Sequence, residues 1–497
     1  MPTAPRVAAK RDREEDHGAD RAGLIVPVLA FCGIVVALMQ TLLVPLLPEL
    51  PRLLGTSASN ASWVVTSTLL AGAVSTPVMG RLGDMYGKRR ILVLCLAVLT
   101  LGAVICALSN SLLPMLIGRV LQGASFGVIA LGMSLMRDAL PPARLGPSVA
   151  LMSATLGIGG AIGLPVAALV AQHADWHVLF WGTAALGALD VLLILLLVPE
   201  SPMRAPARFD VVGTIGLSAG LLALLLAISK GDDWGWGSGL TLGLFAAAAV
   251  ILPLWGLCQL RTTHPLVDLR VSARPQVLFT NLASVVVGFS MYAQALVLPQ
   301  VLMLPEETGY GLGRSMVVAG LVMAPGGLVM MVVSPLSAKL SAARGPKVSL
   351  FLGAAVTAVG YVLTVFMLDA VWKIVIAASV SAAGTALAYA AMPALIMQAV
   401  PTRQTGAATG LNTLMRSIGT STSAAVTSMI LASMTTSFGG SSIPSLNGLK
   451  AGLWIGCAAA TAAALVSLMI PGRRRAPASG VTGAVDAPKS EPSPAGA

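Results

Sequence analysis

The sequence predicts an all-α membrane protein that crosses the bilayer fourteen times, and three observations support this. Of 497 residues, 56% are hydrophobic and only 10% are charged, against about 25% charged in an average soluble domain. The apolar residues fall into blocks of roughly 18 to 25, enough to cross ~30 Å of hydrocarbon at ~1.5 Å per residue. In lipid every backbone N–H and C=O must be satisfied within its own segment, so these blocks have to be helices. The Ala/Leu/Val/Gly-rich blocks show none of the polar–apolar alternation of a membrane β-barrel.

In chain order the spans fall at 22–48, 58–79, 91–109, 112–134, 147–170 and 177–198. Two more follow at 211–229 and 238–260, and six close the series at 277–303, 314–337, 347–367, 371–395, 405–432 and 449–470. An even number of crossings puts both termini on one side. With that side taken as cytoplasmic, the inner connections and tails hold 24 Lys and Arg and the outer ones hold 5. Only Arg119 and Arg416 fall well inside spans, Arg314, Lys347, Lys373 and Lys450 standing at span ends and being counted with the connections. This is the positive-inside bias of a multi-pass protein of a bacterial-type inner membrane. The net charge of +11 thus reflects topology and calls for no nucleic-acid partner.

The ends, 1–21 and 471–497, are charged or rich in Pro, Ala, Gly and Ser and read as disordered cytoplasmic tails. The first apolar segment is too long, and sits behind too charged a stretch, for a cleavable signal peptide. Cys32, Cys95, Cys106, Cys258 and Cys457 all fall in spans without paired spacing, which implies no disulfide framework or metal site. His17, His173, His177 and His264 form no ligand cluster. No phosphate-binding Gly-rich loop with a following Lys is present. No cofactor is therefore expected, and any energy used would have to come from an ion gradient or from a substrate's own gradient. Without a catalytic constellation, an enzyme is not expected either.

The most specific local signal follows the second span, where the chain reads Gly80-Arg81-Leu82-Gly83-Asp84-Met85-Tyr86-Gly87-Lys88-Arg89-Arg90. Its glycines allow a tight turn and close helix approach. Asp84 can pair with Lys88 to Arg90 or sit at a neighbouring helix N-terminus. The stretch resembles the G-x-L-x-D-x-x-G-x-[RK]-[RK] signature of the major facilitator superfamily. That resemblance implies a gating role for Gly80, Asp84, Gly87, Lys88, Arg89 and Arg90, latching the cytoplasmic side of two halves. Shifted by 258 residues, the motif lands on Ala338 to Lys347, where the Leu, the second Gly and a final base survive and Ala342 replaces the acid. The resemblance implies an N-terminal six-helix bundle (22–198), a two-helix insert with its connections (199–276) and a C-terminal six-helix bundle (277–470) that rock about a midplane cavity.

Further matches resemble the fourteen-helix drug:proton antiporter family. They are Arg119-Val120-Leu121-Gln122-Gly123 in span four, Trp176 to Trp181 at the start of span six, and Pro199-Glu200-Ser201 with Asp210 and Gly213. Trp234-Gly235-Trp236 and Thr405 to Gly419, with Asn412 and Arg416, complete them. In span five Gly159, Gly163 and Pro165 remain of the family motif, alongside Gly157 and Gly160, while Leu164, Ala168 and Leu169 stand where glycines are usual. The first span departs further, because Met39 occupies the position of the family's acid, a proton carrier in the relatives.

By depth along their helices, Met39 and Arg119 are level to within a turn, so Arg119 lacks that carboxylate. Gln40, Gln122, backbone carbonyls, water or an anionic substrate could meet it. Asp190 sits six residues deeper than Arg119, about 9 Å away in height, and is a poor direct partner. As an intramembrane acid it is a candidate for coupling, with a packing role as the alternative. On span thirteen Thr405, Thr409, Asn412, Arg416, Thr420, Ser423 and Thr427 follow steps of three and four and form one polar stripe. Cavity lining and helix packing both suit such a stripe.

Two arginines and one acid within the spans predict a neutral to positive cavity. The resulting expectation is a monomeric secondary transporter that uses protons to export small amphipathic compounds, neutral or anionic, as in drug or antibiotic efflux. Uptake or symport of a metabolite is the alternative, and a non-transporting membrane scaffold a distant one.

Overall fold

The computed structural model describes residues 24–43, 46, 49–201, 203, 204, 208–439 and 441–471. Of the tails expected at 1–21 and 471–497, only Pro471 lies inside that set, as do parts only of the first-span pattern, since 44, 45, 47 and 48 lie outside. Fourteen long helices are present: α1 Leu24–Thr41, α2 Ala58–Tyr86, α3 Lys88–Ala107, α4 Leu112–Ala139, α5 Pro142–His173, α6 His177–Leu197 and α7 Val211–Trp234. The second seven are α8 Gly239–Arg261, α9 Pro275–Met303, α10 Met316–Arg344, α11 Pro346–Phe366, α12 Val371–Ala399, α13 Thr405–Ser433 and α14 Leu446–Leu468.

Among the described residues thirteen of these are both long and apolar enough to cross a membrane. The exception is α13, which has the length, 29 residues, but carries the Thr/Ser/Asn/Arg stripe. It reaches low hydropathy because it faces protein rather than lipid: Thr405, Thr409, Asn412, Arg416, Ser423 and Thr427 are all buried.

Helix ends differ from the sequence expectation in an informative way. The first helix stops at Thr41, well short of 48, and a short helical turn, Leu50–Leu53, follows. The expected loop after the second span is mostly helix: α2 runs on to Tyr86 and α3 starts at Lys88, with Gly87 at φ +114° as the hinge. The pseudo-repeat behaves alike, α10 running to Arg344 and turning at Gly345, φ +88°. Such a φ strains any residue with a Cβ, so one glycine suffices to break each helix. Likewise α4 is interrupted at Ser125 and Phe126, splitting it into Leu112–Ala124 and Gly127–Ala139. A two-stranded antiparallel hairpin, Thr435–Phe438 with Ser441–Pro444, links α13 to α14 and had no counterpart in the sequence reading.

The helices of 24–197 and those of 275–468 meet chiefly along two pairs, α2 against α13 and α5 against α10, with α4 against α13 and α5 against α12 beside them. Small residues make both seams. A Cβ on Gly80 would lie 2.4 Å from the Gly406 carbonyl oxygen, and one on Gly327 would lie 2.4 Å from that of Gly157. The inserted helix α7 packs on α2 and α13 through Leu217, Leu221 and Leu225 against Leu70, Leu411 and Leu414. Asp210 caps α7 by accepting from Gly213 N (2.7 Å), and its other oxygen takes Gln259 Nε2 of α8 at 2.7 Å. The second inserted helix, α8, is largely exposed on its other sides, as a lipid-facing helix must be.

Candidate functional site

The turns Gly80–Arg90 and Ala338–Lys347 lie at one end of the bundle, here called the basic end. There α2 reaches across to the other half. Asp84 is buried (1% exposed) and its two oxygens accept from the backbone N–H groups of Gly406 (3.1 Å) and Ala407 (2.9 Å). Those amides open α13, where the free N–H groups and the helix dipole favour a negative charge. Of the two arrangements the sequence allowed, the helix N-terminus is the principal one, with Lys88 Nζ 3.8 Å away on the other side.

Lys88, fully buried, turns instead to Asp138 at 2.5 Å and to the Ser134 carbonyl at 3.4 Å. Ser201 Oγ donates to the same Asp138 oxygen. Arg89 donates to the Ile194 (3.4 Å) and Leu195 (2.5 Å) carbonyls that end α6. Glu200 accepts from Arg89 N (3.2 Å) and lies 3.6 Å from Arg90 Nε. A second cross-half tie comes from Arg137, which donates to Thr405 Oγ1 (2.6 Å) and the Val400 carbonyl (3.1 Å). Arg137 and Asp138 escaped sequence reading, although an Arg-Asp pair ending a span on the basic side was a usable signal. Gly80, Asp84, Gly87, Lys88, Arg89 and Arg90, expected to act together, thus lie together at this end.

The helix-five residues split between two neighbours. Gly159 and Gly163 lie against α1, where a Cβ would meet Ala37 Cβ at 2.4 Å and Thr41 Oγ1 at 2.0 Å. Gly157 and Pro165 instead face α10: Met330 Sδ would be 2.5 Å from a Cβ on Gly157, and a Cβ on Gly320 would be 3.4 Å from Pro165 N. Leu164, one of the departures, lies beside Gly320, its Cβ 3.6 Å from where a Cβ on that glycine would stand. Helix α5 is therefore clamped between its own half and the other.

Within the spans the coupling candidates do not converge. Arg119, 2% exposed, donates from Nε to the Val64 carbonyl of α2 (3.1 Å) and from a terminal nitrogen to Gln122 Oε1 (2.7 Å). Gln122 and a backbone carbonyl were among the partners the sequence allowed. Gln40 turns back on its own helix, its amide 3.5 Å from the Val36 carbonyl. Met39 is buried in the apolar core of the first half. Asp190 is fully buried on α6, and among the described residues only the weakly donating Cys32 thiol of α1 stands beside its carboxyl.

In the second half Asn412 donates to Asn281 Oδ1 (2.9 Å) and Ser284 Oγ (2.7 Å) of α9. Arg416, 8% exposed, stacks over the Tyr389 ring of α12 at 4.7 Å. No carboxylate partners it among the described residues. The polar stripe is thus packed against protein in this conformation, and the two halves are closed on each other.

Comparison with known proteins matches this architecture. The family model described as Major Facilitator Superfamily matches residues 29–424. The multidrug resistance protein Stp of Mycobacterium tuberculosis is 26% identical over 417 residues, 83% of this chain and 76% of that protein. The tetracenomycin C resistance and export protein of Streptomyces glaucescens is 33% identical over 239 residues, 47% of this chain and 44% of that one. Among solved structures, the human organic anion transporter TETRAN superposes with a TM-score of 0.64 at 16% identity, covering 90% of this chain and 99% of that one. With the family model spanning most of its length and the fold matching, this chain belongs to the Major Facilitator Superfamily of membrane transporters.

Proposed function

We propose that this transporter exports small amphipathic, neutral or anionic compounds from the cytoplasm by proton antiport, the bundles 22–198 and 277–470 rocking about the insert 199–276. The basic end is then cytoplasmic, and the structure corresponds to a state latched on that side. The names of the relatives, a multidrug resistance protein and a resistance and export protein, support export. The observation that carries the substrate class is that neither intramembrane guanidinium meets a carboxylate. Arg119 is held by Val64 and Gln122, and Arg416 by an aromatic face. When the halves part, Arg416 offers an uncompensated positive charge that repels organic cations and attracts anions.

Asp190 serves as the proton carrier in this reading. A carboxylate enclosed in hydrocarbon beside only a thiol is costly, so in this reading Asp190 takes up a proton before it is enclosed. Transport in proteoliposomes with an imposed pH gradient tests both parts, using ethidium as a cationic probe and carboxyfluorescein as an anionic one. Gradient-driven flux of the anion above that of the cation is the expected result. Flux that ignores the gradient removes antiport, and a preference for ethidium removes the substrate class.

A further inference from the structure

At the basic end the last turns of α2, the linker after the insert and the start of α13 line a half-open cavity of about 120 Å³. Arg81 lines it together with Thr263, His264, Asp268 and Gln404. Arg81 is 9% exposed. It makes no hydrogen bond or ion pair with a described residue. Its charge acts on Asp84, but that carboxylate is already committed to two amides of α13. A guanidinium so enclosed and so poorly met is costly unless an acceptor fills the space.

We propose that this cavity binds a phosphoryl-bearing anion through Arg81, and that the bound anion holds the basic end shut. The fork of an Arg side chain matches a phosphate oxygen pair. The Thr263 hydroxyl, the His264 ring and the Gln404 amide supply further donors, none of which is spent on another described group. Asp268, the acid in the lining, is turned to local work: Oδ1 accepts from Arg270 N (3.0 Å) and Val271 N (3.2 Å) and caps the turn Leu269–Ser272. The volume suits one phosphoryl group and falls well below the ~300 Å³ at which drug-sized pockets begin.

The consequence follows from the walls. Arg81 belongs to the first half, residues 263–268 to the linker, and Gln404 to the second half. Parting α2 from α13 destroys the site, so the anion binds the latched state alone and shifts the population towards it. Two sources share this chemistry, free inorganic phosphate and the headgroup of an anionic phospholipid in the adjoining leaflet.

The full chain is unfolded by heat in dodecyl maltoside with millimolar phosphate or with chloride of equal ionic strength. In parallel it is unfolded in phosphatidylcholine nanodiscs with or without phosphatidylglycerol. Wild type should gain several degrees in at least one arm, the detergent arm identifying free phosphate and the nanodisc arm a lipid. R81Q should lose most of the gain and R81K should keep part of it. Should R81Q fail to fold, Q404A and T263A, on the other two walls, should each reduce the gain. An equal gain in R81Q, or in both wall variants, overturns the proposal, as does no gain in either arm. Because the readout is binding, a failure of proton antiport leaves it standing.

Discussion

Arg89 and Lys347, 258 residues apart, perform the same task in the two halves. Arg89 donates to the Ile194 and Leu195 carbonyls that end α6. Lys347 donates to the Leu468 (2.8 Å) and Ile470 (2.5 Å) carbonyls that end α14. Each cation meets the last carbonyls of the sixth helix in its bundle, where the helix dipole is negative. The hinges Gly87 and Gly345 are offset by the same 258. The repeat differs at the acid. Asp84 meets two amides of α13, whereas its counterpart Ala342 is exposed, and α5, the helix on which α10 packs, starts at Pro142 with Pro141 as N-cap and no side-chain cap. A helix opening on Pro already lacks one of the N–H groups an acid would satisfy. The latch is therefore one-sided.

Removing one of these helix-end cations should cost stability without touching the seam. Arg89→Ala and Lys347→Ala should each lower stability by about 1 kcal/mol, the usual range for hydrogen bonds to charged groups at a helix end being ~0.5–2. Thermal unfolding in detergent measures it, and unchanged midpoints in both variants would refute the shared role.

Asp84→Asn should weaken the latch, because a neutral amide accepts from the α13 N-terminus with less than half the strength of a carboxylate. A cysteine placed at Thr409, which is 3% exposed, in a chain cleared of its own cysteines should then label faster with a maleimide. A rise of about tenfold corresponds to the ~1.4 kcal/mol expected for one charge-assisted bond. Equal labelling with and without the substitution would mean that Asp84 does not hold this seam.

Steric separation of the same seam gives an independent check. Gly406→Val puts a side chain where the Gly80 carbonyl oxygen would be 2.6 Å from Cβ, against backbone that cannot yield locally. It should open the basic end as Asp84→Asn does, and more strongly. Gly146→Val serves as the control, since nothing lies within 4 Å of its Cβ position.

Asp190→Leu should raise stability by about 1–3 kcal/mol, since it removes a buried carboxyl met only by the weak thiol donor of Cys32. The same variant should lose the pH-gradient dependence of transport, whereas Asp190→Glu should keep part of it. Gain of stability with an unaltered gradient response would assign Asp190 to packing alone.

Exchange at Arg416 bears on substrate charge. Arg416→Gln removes the cation over Tyr389 and should shift flux in proteoliposomes from the anionic towards the cationic probe by roughly tenfold, the scale of a ~1.4 kcal/mol electrostatic contribution. Met39→Asp should move the preference in the same direction, because it adds the acid that the first half lacks.

Most of the fold was legible in the sequence, and the site only in outline. The crossings, the hinge glycines and the basic end follow from segment length, hydropathy and a few residues read locally. The polar stripe from Thr405 to Thr427 was legible as a stripe, but its burial against α9 and α2 was not. Arg119 and Asp190 could be judged unpaired with each other from their heights alone. That Val64 and Gln122 take the first, and that only a thiol stands beside the second, could not be judged. Arg81 looked like a filler position in the motif until its surroundings were visible.

The sequence by itself determined that the chain is built of long apolar helices and roughly where each lies, because backbone hydrogen bonding in lipid is settled within a segment. Only the tertiary structure decided which groups meet. Asp84 found its amides 322 residues away, Arg137 found Val400 and Thr405, and Arg416 found the ring of Tyr389. A charge in the membrane accepts a carbonyl, an amide, a hydroxyl or an aromatic face equally readily in kind. Every helix offers some of these, so the partner is set by which helices become neighbours.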